Sequence, residues 1–128
     1  MNTVAKETKF PVPQPNEGEA YIGTIIYEDG TGNHIFMLPN EDVKNWDDGM
    51  EWAKRLGGDL PDRVEWALLY KRKPDQFKKG VYWSNTQYAD YSYGAWSQHF
   101  RYGDQNYYYK SSECRVRAVR REFSDSVI

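Results

Sequence analysis

A chain of 128 residues, 39% hydrophobic and 28% charged, is long enough to bury one core without covalent staples and too short for two domains of ordinary size. Its 17 basic and 19 acidic side chains leave a formal charge of -2, so no overall field draws it to nucleic acid or anionic lipid. A single cysteine, Cys114, excludes an intramolecular disulfide and a thiolate zinc cluster, and a reducing compartment is permitted.

Residues 1–19 alternate charge with Pro11, Pro13 and Pro15, which blocks helix and central strand alike and predicts a flexible or extended N-terminal arm. The same segment lacks the apolar run of a secretory signal, and no stretch of about 18 apolar residues occurs. The expected location is the cytoplasm of a cell or a virion, away from membrane.

AYIGTIIY, from Ala20, reads as a strand, EDGTGN as a glycine-rich turn, and HIFML as the returning strand of a hairpin, which Pro39 and Asn40 end. Then the period changes. Trp46, Met50, Ala53 and Leu56, with Trp52 on the flank, recur at helical spacing, and Gly57-Gly58 stops that helix. In LPDRVEWALLYKR, Asp62 caps a second helix and Glu65 completes a capping box, with Val64, Ala67, Leu68 and Tyr70 as the apolar side and Pro74 as the end. From Val81 onward VYWSNT, AWSQHF, NYYYK and CRVRAVR are strand-like, separated by loops with Gly94, Gly103 and Ser111-Ser112. Hairpin, two helices and a C-terminal antiparallel meander predict one α+β domain over residues 20–123, with a tail over 124–128.

No chemistry stands out. His34 and His99 are far apart in sequence, and the oxygen-rich NED and NWDD segments precede a helix whose dipole they complement, so neither a metal nor another cofactor is expected. Cys114 lies in an apparent strand beside Arg115 and reads as a small buried residue rather than a nucleophile. EDGTGN lacks the Lys-Ser/Thr and the following helix of a P-loop. RVRAVRR, beside many tyrosines, invites a single-stranded nucleic-acid reading; the favoured one is a strand whose arginines face solvent or pair with acids.

The aromatic content is the feature that calls for a function. Aromatics reach 16%, and seven of the 11 tyrosines lie in YADYSYGAWSQHFRYGDQNYYYKSS, from Tyr88 to Ser112. Tyrosine supplies rigid contact area at low entropic cost and costs free energy to bury unless its hydroxyl is bonded, so the density suits a recognition surface. The competing reading is that half or more of these rings simply cover a small sheet.

The linked series Leu60-Pro61 before a capped helix, Tyr82-Trp83-Ser84 with Thr86, Ala95-Trp96 to Phe100, and Arg115-Val116-Arg117-Ala118-Val119-Arg120 resembles the bacterial and phage domain family typified by the Lcl C-terminal domain. The resemblance covers about residues 36 to 121 and implies a C-type-lectin-like fold that displays variable side chains on a stable frame. The Glu-Pro-Asn and Trp-Asn-Asp signatures of calcium-type sugar binding are missing, and so is the cysteine pair of formylglycine-generating enzymes, so those functions do not transfer.

Trp83, Trp96 and Phe100 fall at motif positions, which assigns them, with Tyr82, to the core, each worth about 2–3 kcal/mol by area burial. Alternation sends Ser97, His99 and Arg101 to the opposite face, and Tyr108 is assigned inward. The candidate surface is then Tyr88, Tyr91, Tyr93, His99, Arg101, Tyr102, Asp104, Gln105, Asn106, Tyr107 and Tyr109. The expectation is a non-catalytic binding module, phage- or prophage-encoded, whose Tyr-rich surface binds a bacterial host protein and inhibits it, a defence component being one such target. A surface glycan or cell receptor is the alternative partner; an enzyme using Glu or Asp carboxylates and a nucleic-acid binder rank below both.

Overall fold

The computed structural model describes residues 12–127; the expected arm up to residue 11 and the last residue of the tail lie outside the described residues. The elements are β1 (Ala20–Ile26), β2 (Gly32–Lys44), α1 (Trp46–Arg55), α2 (Arg63–Arg72), a 3-10 turn (Pro74–Gln76), β3 (Val81–Gln87), β4 (Gly94–His99), β5 (Gln105–Tyr109) and β6 (Cys114–Ser124). The chain is α+β, with one six-stranded mixed sheet in the order β1-β2-β6-β3-β4-β5. Neighbouring strands are antiparallel except β3 and β6, which run parallel where Tyr82 meets Arg115.

The expected C-terminal meander holds for β3, β4 and β5 and fails for β6, which crosses back to lie between β2 and β3. Burial explains the move. Val116 and Ala118 are buried on one side of β6 and Val119 on the other, and a strand that is apolar on both sides needs a central place with both faces covered. A second correction concerns β2, which continues through Pro39 and Asn40 to Lys44. Pairing with β1 already stops at Met37, and the ladder to β6 shifts register between Met37 and Glu41, so the missing N–H of Pro39 falls in a bulge where no ladder bond is lost.

Strand alternation divides the core between the two faces of the sheet. Tyr82 and Val119 join Ile22, Ile35, Met37, Phe77 and Phe100 beneath Trp66 and Leu69 of α2. Their sequence neighbours Trp83 and Ala118 join Leu38, Leu60, Ala95 and Val116 beneath α1. Buried indoles find acceptors: Trp66 Nε1 donates to Trp83 O and Trp83 Nε1 to Lys44 O, both at 3.0 Å.

Helix α1 presents the expected face, with Ala53 buried and Trp46, Met50, Trp52 and Leu56 packed on the cluster. It ends in a Schellman arrangement: Gly57, at φ +84°, donates to Lys54 O, and Gly58 donates to Ala53 O. Helix α2 has the expected capping box from Asp62 and Glu65, but its buried face centres on Glu65, Trp66 and Leu69; of the expected apolar side, Leu68 and Tyr70 pack half-buried against the core, while Val64 and Ala67 are exposed. The reason is electrostatic. Glu65 Oε1 and Oε2 receive Arg121 Nη2 and Nε at 2.7 and 2.6 Å, and this forked pair turns the Glu65 edge of the helix toward β6.

Both ends of the described chain are fastened. Arg120 donates Nε and Nη2 to the two carboxylate oxygens of Glu19, and this guanidinium holds the Glu19 carboxyl below its ordinary range. The expected tail is docked as far as Val127, which is buried and donates its N–H to Gly30 O.

Candidate functional site

The hairpin of β4 and β5 ends the sheet, and among the described residues no strand pairs with the outer side of β5. Its turn uses Gly103 at φ +83°, where a side chain would be strained and would collide with Tyr70. Register places Trp96 opposite Tyr107 and Gly94 opposite Tyr109, so Trp96, Tyr107 and Tyr109 share the face that carries α2. A Cβ at Gly94 would lie 2.9 Å from the Tyr107 ring, so glycine there makes room for that ring to lie down. The segment between β3 and β4 returns over the same face through Tyr88 N–H to Gly94 O and Gly94 N–H to Tyr91 O.

The rings consequently pack on one another. Tyr88 touches Trp96, Tyr107 and Tyr91 at centroid separations of 4.9, 4.5 and 5.7 Å. Tyr91 stacks on Tyr93 at 5.2 Å, and Tyr93 meets Tyr109 at 5.3 Å. On the far side of this array the Arg63 guanidinium lies 3.6 Å above the Trp96 ring. Tyr91, Tyr93 and Tyr109 keep 43%, 50% and 55% of their surface exposed, so the inner rings support an outer layer that faces solvent. Partial desolvation, followed by neighbouring tyrosines, raises the pKa of Tyr93 and Tyr107, so both rings are neutral hydrogen-bonding groups at ordinary pH.

Five of the sequence-derived candidates, Tyr88, Tyr91, Tyr93, Tyr107 and Tyr109, are thus brought together. The others are not all with them. Gln105 lies at the rim, bridging Arg63 and Gln98. Asn106 alternates to the other face and uses its Oδ1 to accept the Tyr107 N–H at 2.8 Å. Arg101, Tyr102 and Asp104 are exposed around the turn, and Tyr102 packs beside His99, which also meets Tyr108. Tyr108 does face the core, edge-on to Trp83.

Trp96 is a correction: assigned to the core with Trp83 and Phe100, it is half-buried within the tyrosine array. Adjacent residues of a strand face opposite sides of the sheet, so the alternation that places Ala95 in Trp83's cluster turns Trp96 to the other face. The same parity puts Ser97 on Ala95's side, where it is buried and donates to Asn106 O. Arg63 was not among the candidates, because nothing local in the sequence ties a residue at the start of α2 to a strand far along the chain.

The remaining chemistry-bearing groups are engaged elsewhere. Burial pushes the Cys114 thiol up to about 12, which keeps it protonated at neutral pH. Arg115 and Arg117 meet Glu41, Arg120 meets Glu19 and Glu122, and Arg121 meets Asp59 and Glu65. Among the described residues, no group of three or more His, Cys, Asp or Glu side chains converges as a metal site, and no helix is long and apolar enough to cross a membrane. No family model matches the chain, and no curated protein matches it.

Proposed function

We propose that this chain is a non-catalytic binding module that docks a protein partner on the tyrosine face of β4 and β5. The observation that carries the reading is the array itself: Tyr88, Tyr91, Tyr93, Trp96, Tyr107 and Tyr109 form one continuous ring-to-ring surface whose outer members are exposed. Rings already packed on one another lose little rotamer freedom on binding, which is what favours aromatic anchors at protein interfaces. Docking goes through the ring face rather than by strand addition, because the Asn106 side chain already occupies the Tyr107 N–H at the sheet edge.

The C-type-lectin-like frame belongs to the same proposal. It rests on the resemblance of the Leu60-Pro61, Tyr82-Trp83-Ser84 and Arg115-to-Arg120 series to the Lcl C-terminal domain family, and with it goes a phage or prophage origin and a bacterial host protein, such as a defence component, as the inhibited target. The test is affinity capture from lysate of the bacterial host with the tagged chain, run beside a glycan array. One protein recovered in stoichiometric amount, with a blank array, is the expected result. Binding to glycans with no protein captured overturns the reading and leaves the rings as a sugar-stacking platform.

A further inference from the structure

Beside the tyrosine array, between the start of α2 and the β4–β5 hairpin, lies an open cleft of about 520 Å³ whose lining includes Arg63, Val64, Ala67, Tyr70, Gln98 and Gln105. Its walls are mostly apolar, and Val64 leaves 62% of its surface uncovered although it is a valine on a helix. Arg63 is the one charged residue of the lining, and it is held from two sides. The guanidinium stacks on Trp96 at 3.6 Å, and Nε donates to Gln105 Oε1 at 2.9 Å while Gln105 Nε2 donates back to Arg63 O at 2.8 Å. Gln98 Oε1 accepts from the same Gln105 amide, which fixes that amide's orientation.

Among the described residues no carboxylate pairs with Arg63 and no acceptor takes Nη1 or Nη2, whereas every arginine of β6 from Arg115 to Arg121 has an acid. The fold therefore orients a forked donor at the rim of an apolar cleft, and a carboxylate is the group that matches two parallel N–H donors on a guanidinium.

Resting on the docking reading above, we infer that this cleft takes an acidic side chain of the protein partner. Both Nη groups of Arg63 receive the carboxylate, and Val64, Ala67 and Tyr70 take the apolar residues that flank it. The tyrosine array supplies contact area, and the cleft makes the interface selective for a segment in which an acid lies between apolar residues.

The test is a titration of the isotope-labelled full chain with acetyl-Leu-Glu-Leu-amide, followed by NMR at the Arg63 side chain, the Trp96 indole and the Gln98 and Gln105 amides. The glutamine counterpart, acetyl-Leu-Gln-Leu-amide, is run alongside. Saturable shifts at these groups are expected with the acid peptide, about tenfold weaker with the glutamine peptide and with R63Q, and partly restored in R63K, which keeps the charge and loses the fork. Unchanged backbone dispersion and melting temperature in R63Q separate lost binding from lost folding. Equal response to both peptides, an undiminished response in R63Q, or no response at these groups overturns the assignment of the cleft. A failure here with a protein still captured through the tyrosines removes the cleft and leaves the docking face; a failure of capture with the titration positive does the reverse.

Discussion

Glu65 shows how one side chain can orient a helix. It caps α2 by accepting the Asp62 N–H at 2.8 Å, and it accepts the Arg121 fork while almost wholly buried. Removing one partner strands the other away from water, which costs about 3–5 kcal/mol in buried pairs. Arg121→Met is therefore expected to lower unfolding free energy in urea by about that amount, and Glu65→Gln with Arg121→Met to recover part of it. An R121M chain as stable as the native one would show that the pair does not hold the helix.

Tyr82 makes a pH-dependent contribution. Burial pushes its hydroxyl up to about 12, while the group donates to Glu41 and accepts the Lys78 N–H. The folded state holds the proton more tightly than the unfolded chain, whose tyrosines titrate at the ordinary value near 10. The contribution is accordingly complete below pH 10 and is lost as pH rises from 10 toward 12. The stability difference between the native chain and Tyr82→Phe should shrink across that window in urea melts. A difference independent of pH there would contradict it.

At the level of elements, α1 and β6 are joined by a close approach. A Cβ on Gly49 would come within 2.9 Å of Val116 Cγ1, and Val116 is fully buried in the central strand. Alanine would favour the helix by about 1 kcal/mol, but overpacking a fixed core costs about 1–3 kcal/mol. Gly49→Ala is thus expected to lower the urea midpoint, and a raised midpoint would mean that Val116 yields freely. The elements themselves were legible in the sequence wherever a local rule governs them. The Asp62 capping box, the Gly57-Gly58 stop and the four late strands all follow from residues within a few positions of one another. What escaped depends on distant residues. The buried side of α2 is set by Arg121, the continuation of β2 through Pro39 by the bulge opposite β6, and the central place of β6 by what covers its two faces.

For the whole molecule, the same distinction separates the candidate residues. Tyrosine density pointed to the stretch whose rings pack into the array, and alternation alone, applied to Ala95 and Trp96, would have moved Trp96 from the core to that array. It would also have set Asn106 apart from Tyr107. No local pattern could add Arg63, which reaches Trp96 only through the packing of α2 on the sheet. The account's central claim is that the exposed outer rings bind and do not hold the fold together. Its most direct test is capture of the partner protein by a Tyr91→Ala, Tyr93→Ala, Tyr109→Ala chain, with Tyr102→Ala as a comparison: Tyr102 is 76% exposed and lies beside His99, outside the array. Loss of capture in the triple variant alone, with its melting temperature within a few degrees of the native chain, is the expected result. Undiminished capture by the triple variant, or loss of its folding, would contradict the claim.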